Sequence, residues 1–361
     1  MRTILKSPEK VSPPPLLARI PFKFKVLPLL IALPMLAIGC QEGPEEVVNV
    51  YSHRHYDADQ FLFDRFSELT GIEVRVVTAS ADELITRLER EGEVSPADVL
   101  ITVDAGRLHR AKELELLRPV RSPVLSEAIP DHLRDPEGYW FGLTQRARIL
   151  AYARDHVTPM ELSTYEDLAG PQWKGRVLVR SSENIYNLSL LASMIAANGP
   201  DHAERWAEGI VENLARPPQG NDTDQIMDVA AGVGDVALVN TYYMGRLLNG
   251  QDVAARELAS RVGVFFPNQD DRGTHVNVSG AGVTAHAPNP DNAVRLIEFL
   301  VGTEAQRVFA ETIFEYPVRV DVPWATTLSE WGEFRADTLN LRRLGELNTE
   351  AVMIFDRAGW R

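Results

Sequence analysis

Val236-Ala237-Leu238-Val239-Asn240-Thr241-Tyr242-Tyr243 is an apolar run that ends in two adjacent tyrosines. The run reads as a buried strand. Neighbours in a strand point to opposite faces, so Tyr242 and Tyr243 converge on one spot only if the backbone is already turning into a helix. The stretch therefore predicts a strand running directly into a helix, the repeating step of an α/β sheet.

The same step recurs on both sides of it. Val47-Val48-Asn49-Val50-Tyr51 reads as a strand, Asp57 and Gln60 have capping-box spacing, and Leu62, Phe66 and Leu69 line one helical face before Gly71. Ile72, Val74 and Val76 alternate, Ser80 and Glu83 form a second capping box, and Gly92 closes that helix. Val99-Leu100-Ile101 is a third strand, followed by a helix through Leu117. Further strands are expected at Ile149 to Tyr152 and Val177 to Val179, with a helix from about Ile185 to Ala197. Val276 to Thr284 reads as a return segment to the first part of the chain. This rhythm predicts an α/β fold with an open, largely parallel sheet and helices on both faces. About three hundred residues past the leader would normally split into two lobes.

In open α/β sheets, ligands bind beyond the carboxyl ends of the strands. His55-Tyr56 follows the first strand, Tyr186 follows Val177-Leu178-Val179 and a polar turn, and Tyr242-Tyr243 follows Val236 to Val239. Singly, a tyrosine is usually a packing residue and a histidine a surface or capping residue. Three segments delivering aromatic oxygens to one end of a sheet form a pattern. A phenolate is a hard donor whose pKa near 10 keeps it protonated in water, so a tyrosine cluster needs a strong Lewis acid to ionise it. Ferric iron fits that demand best; zinc and copper sites draw on cysteine and several histidines.

The single cysteine, Cys40, is placed elsewhere. Arg19, Lys23 and Lys25 flank the apolar stretch Val26 to Gly39, which is short for a spanning helix and has the shape of a secretory signal. Ala37-Ile38-Gly39-Cys40 resembles a bacterial lipobox, with alanine where leucine is usual. That resemblance implies a signal peptide over 1–39, lipidation of Cys40, an acidic tether over 40–46, and a periplasmic or cell-surface protein held to a membrane by its lipid. Removing residues 1–39, with six basic residues and one acid, moves the formal charge from −14 to −19. Such an acidic chain argues against nucleic acid and against docking on anionic lipid. No disulfide is available, so packing must hold the fold.

Several segments closely resemble bacterial periplasmic ferric-iron-binding proteins, the substrate receptors of iron ABC importers. They are Tyr51 to Tyr56, Ala97 to Leu108, Asn240 to Tyr243, Phe299 to Gln306 and Glu315 to Val318. The Phe299 to Gln306 segment marks the wider class of solute-binding proteins; the tyrosine pair with His55-Tyr56 is the specific part. The resemblance implies a two-lobed type II fold with two crossings. Its first lobe would be 47–145 plus about 280–318 and its second 146–279; the resemblance ends near Val318, and 319–361 by themselves read as helices packed on the second lobe. It implies a monomer that delivers Fe3+ to a permease and ATPase, with His55, Tyr56, Tyr186, Tyr242 and Tyr243 as ligands. Arg146 and Arg148 match a basic segment near the crossover that binds a synergistic anion such as carbonate or offsets phenolate charge.

Two rivals remain in the residues. A same-fold receptor for an organic or phosphorus-containing anion would use Arg146, Arg148 and helix N-termini. An enzyme assembled from Ser52 with His53 or His55, or from Asp104 with His109, has no nucleophile elbow, P-loop or metal-hydrolase helix behind it.

Overall fold

The computed structural model describes residues 46–54 and 56–361. The signal and lipobox expectations, and the tether up to residue 45, fall outside these residues, as does His55. Strands β1 (Val47–Ser52), β2 (Glu73–Thr78), β3 (Val99–Thr102), β4 (Phe141–Ala153), β5 (Val177–Leu178), β6 (Val236–Asn240), β7 (Val262–Phe265), β8 (Val276–Val283) and β9 (Tyr316–Pro317) alternate with helices along the chain. Hydrogen bonding follows the order β2-β1-β3-β8-β4-β6-β5, with β7 and β9 also paired to β4.

The sheet is mixed. β1 runs parallel to β2 and β3, and β5 to β6, as the strand–helix rhythm predicts. Every pairing made by β4 and β8 is antiparallel, because β4 enters each sheet without the helical crossover that a parallel neighbour requires. β4 is thirteen residues long, far beyond the predicted Ile149 to Tyr152. Its first part, Phe141 to Ala147, pairs with β8; its last part, Arg148 to Tyr152, pairs with β6. One strand thus passes from the first lobe to the second, changing partners between Ala147 and Arg148. The chain returns between β7 and β8, which makes the second crossing.

Local chemistry places the helices. The Asp57–Thr70 helix starts behind Tyr56 and ends at Gly71, whose φ of +75° favours glycine. Its cap differs from expectation: Asp59, not Gln60, accepts the Tyr56 N–H (3.3 Å). The Ser80/Glu83 box is present as predicted, with Ser80 Oγ accepting from Glu83 N and Glu83 Oε2 from Ser80 N. The third helix is shorter than expected, Ala105–Glu113, and is capped by Asp104. In β8, Gly280 lies so close to the neighbouring strand that a Cβ would stand 2.7 Å from the Phe141 carbonyl oxygen.

The two crossings are bonded to each other. Arg148 N–H donates to His275 O (2.9 Å), and the buried Tyr165 hydroxyl donates to Arg148 O while accepting from His275 N–H (3.1 Å). The C-terminal segment spans both lobes. Arg342–Glu346 packs on Ala105–Glu113 and on Ile185–Asn198, and Asn348–Ala358 packs on Ile185–Asn198 and Pro200–Glu212. Trp360 Nε1 then donates to Arg180 O (2.9 Å). No helix among the described residues is long and apolar enough to cross a membrane.

Tyr165→Phe strands the buried His275 N–H at the crossings. The expected cost is about 1–3 kcal/mol of stability, read as a lower denaturant midpoint at unchanged slope.

Candidate metal centre

Four phenols stand where strands end and helices begin. Tyr56 follows β1 and precedes the Asp57–Thr70 helix. Tyr186 is the second residue of the Ile185–Asn198 helix, its N–H held by Asn184 Oδ1 (3.1 Å). Tyr242 and Tyr243 lie in the first turn of the Thr241–Asn249 helix, so the backbone turns at the point that lets adjacent side chains share a side.

Tyr186 Oη and Tyr242 Oη are 3.2 Å apart, and the Tyr242 and Tyr243 rings are 4.2 Å apart at 32°. Tyr56, from the other lobe, lies within electrostatic reach of Tyr186, Tyr242 and Tyr243. Burial is the largest cause that pushes the Tyr56 phenol up, to about 12, with Glu315 adding to it. Burial likewise pushes Tyr186 up, reinforced by Tyr243, and Tyr242 well up, reinforced by Tyr186 and Tyr56. All three therefore hold their protons at neutral pH. Each added phenolate makes the next harder to form, so only a cation of high charge ionises the group.

Arginines surround the cluster. Arg146, Arg148 and Arg180 set their guanidinium carbons 5.2, 5.9 and 5.5 Å from the Tyr186 ring centre. Arg54 and Arg246 do the same to Tyr56, at 5.4 and 5.6 Å. Arg146 and Arg148 are two apart on β4, share a face, and are each 1% exposed. Burial works against the Arg146 charge, but Tyr186 and Tyr242 when ionised, together with Glu315 and Asp104, outweigh it and raise its pKa. Arg146 donates to Val103 O and Ser279 Oγ; Arg148 donates to Asp222 Oδ2 (2.7 Å) and Asn187 Oδ1 (2.8 Å). Asp222 also binds Arg180 (3.1 Å) and the Asn240 N–H (2.7 Å), so one carboxylate serves two guanidiniums.

A small cavity of about one water's volume lies between Arg146, Arg148, Tyr186, Asn240, His275 and Asn277. Burial, then Arg148, Arg272 and Arg146, push the His275 imidazole down to about 3, so it is neutral there. On the Tyr56 side, Arg54 is held by Asp59 (2.8 Å) and Thr144 Oγ1 (3.2 Å), with the buried Glu315 carboxylate 3.9 Å away.

The structure thus brings together Tyr56, Tyr186, Tyr242 and Tyr243, with Arg146 and Arg148 against Tyr186. Sequence reasoning left out Arg54, Arg180, Asp222, Arg246 and Glu315. Arg54 and Arg180 had a usable signal: like Tyr56 and Tyr186, they follow the ends of β1 and β5 within a few residues. Among the described residues no group of three or more His, Cys, Asp or Glu side chains is placed to hold a metal.

Residues 95–336 match the family model for a bacterial extracellular solute-binding protein. The chain is 50% identical over 328 residues to iron uptake protein A1 of Synechocystis sp., covering 91% of each chain. It is 50% identical over 316 residues to iron uptake protein A2 of the same organism, covering 87% of this chain and 90% of that one. Among solved structures, Trichodesmium IdiA (FutA) in complex with iron and citrate superposes with a TM-score of 0.85 at 50% identity, covering 87% of this chain and 100% of that one. The ferric binding protein from Campylobacter jejuni gives 0.83 at 43% identity, with 87% and 100% covered. Two lobes joined by two bonded crossings agree with these matches: the chain belongs to the bacterial extracellular solute-binding proteins, in the group that includes the Synechocystis iron uptake proteins.

Proposed function

We propose that this protein is an extracytoplasmic receptor that captures Fe3+ and hands it to an ABC importer, its permease and ATPase. The observation that carries the reading is the convergence of four phenols from both lobes on one spot ringed by guanidiniums. Tyr186, Tyr242 and Tyr243 are the second lobe's ligands, and His55 and Tyr56 the first lobe's. Relatives of half-identical sequence are named for iron uptake, and one was solved with iron and citrate. The protein acts as a receptor rather than a catalyst, anchored to a membrane through lipidated Cys40.

Fe3+ with four phenolates carries a formal charge of −1, which the surrounding arginines offset. Arg146 and Arg148 fill this charge-balancing role. Their hydrogen bonds to Val103, Ser279, Asp222 and Asn187 tie them behind the Tyr186 ring. That arrangement favours iron over the anion-receptor alternative and leaves any synergistic carbonate to other donors. Open lobes present the phenols to water, the ion displaces their protons, and closure brings Tyr56 onto it.

The test is a visible titration of the whole protein with ferric citrate at neutral pH. A broad phenolate-to-iron band should saturate near one equivalent in the native protein and vanish in Tyr242→Phe/Tyr243→Phe. A band that persists in the variant removes these residues from the site.

The pH dependence has a fixed sign. Protons compete with iron for phenols whose pKa burial has raised, so apparent affinity falls as pH drops from 8 to 5. In the metal-free protein Tyr56 stays protonated up to about pH 12. Competition against a ferric chelator of known pH profile measures the slope; a flat profile contradicts ligation by phenolate.

A further inference from the structure

Asp104 is fully buried at the end of β3 in the first lobe, where it caps the Ala105–Glu113 helix by accepting Arg107 N–H (3.0 Å). Its second oxygen accepts two more bonds, from Asn277 Nδ2 (2.7 Å) at the start of β8 and from Ser189 Oγ (2.7 Å). Ser189 belongs to the second lobe. It lies three residues beyond Tyr186 on the Ile185–Asn198 helix, and side chains at that spacing share a helix face. The Asp104–Ser189 bond therefore ties a carboxylate of one lobe to the turn that carries a phenol of the candidate site.

We propose that Asp104 and Ser189 are positioning residues that form a latch between the lobes, fixing Tyr186 in the closed cleft. The proposal rests on the reading of the protein as a ferric receptor. Its physical basis is conditional satisfaction of a buried charge. With the lobes apart, water solvates the Asp104 carboxylate. Closure strips that water away, and the Ser189 hydroxyl takes its place; a closed cleft without Ser189 leaves a buried carboxylate oxygen one donor short. The Ser189 bond thus favours the closed form specifically. The N-cap bond from Arg107 lies within the first lobe and the bond from Asn277 comes from the returning crossing, where β8 begins, so neither bridges the two lobes' faces as the Ser189 bond does.

Asp104 also acts on the candidate site through charge. It is one of the groups that stabilise the Arg146 guanidinium, and Arg146 lies against the face of the Tyr186 ring. The carboxylate thereby holds the phenol from two directions, through the helix and through the arginine.

The test uses Ser189→Ala, which removes the hydroxyl from a helix interior where alanine is well tolerated and leaves the Asp104 cap intact. The whole protein is loaded with ferric citrate, and loss of the visible band is followed after mixing with excess competing chelator. Ser189→Ala is expected to lose iron about ten- to a hundredfold faster, the effect of one hydrogen bond to a charged group, with the band position unchanged. Ser189→Thr should restore the native rate. Asp104→Asn should speed loss as well, and Asp104→Asn/Ser189→Ala should be no faster than the quicker single variant.

A merely structural serine would instead lower the unfolding midpoint of the iron-free protein without enlarging its radius of gyration. Release from Ser189→Ala at the native rate overturns the proposal. Small-angle scattering keeps it separable from iron binding. If the native protein gives no band, the ferric reading fails, and the latch is still judged by whether Ser189→Ala enlarges the radius of gyration, as expected, or leaves it unchanged, which overturns it.

Discussion

Three guanidiniums converge on the Tyr186 ring, and the rest of the structure is organised around the charge they bring into a buried place. An unpaired buried cation is costly, so each must be answered. Asp222 answers Arg148 and Arg180, carbonyl and hydroxyl oxygens hold Arg146, and Trp360 reaches from the chain's end to fix the Arg180 carbonyl. In the metal-free protein Tyr186 and Tyr242 are neutral, so three guanidiniums facing the Asp222 and Asp104 carboxylates leave positive charge in excess at that ring. The ferric reading uses that excess: an ion wrapped in phenolates carries the compensating negative charge.

The same residues occupy the mechanical centre. Arg146 and Arg148 flank the point at which β4 exchanges its β8 partner for β6, and His275 and Asn277 stand on the returning crossing. Because Tyr165 bonds both crossings at once, the segments linking the lobes form a bonded pair rather than two loose threads. Chemistry and hinge are therefore not separable here. A change in charge on Tyr186 is felt by arginines that belong to the strand about which the lobes are joined.

Much of this was legible in the chain. The strands β1, β3 and β6 announce themselves as apolar runs, and the tyrosines as residues placed directly after them. The Ser80/Glu83 cap was readable because its partners are three residues apart. What stayed hidden depends on partners far away in sequence. β4 was seen only as its apolar end, because Arg146 and Arg148 look like exposed residues until Asp222, 74 positions beyond Arg148, is placed beside them. Arg54 and Glu315 are 261 positions apart and meet only after β9 joins β4. The C-terminal segment showed no signal because its role is to buttress: Arg342–Glu346 and Trp360 support helices and a carbonyl rather than a ligand.

Resonance Raman scattering excited within the visible band of the iron-loaded protein tests the central claim most directly, because it reports which side chain is bonded to the metal. The account predicts enhanced ring modes of tyrosinate that shift when the protein is made with ring-deuterated tyrosine. Iron-dependent absorption without tyrosinate modes would contradict it, and would mean that the phenols gathered at the cleft are not what holds the ion.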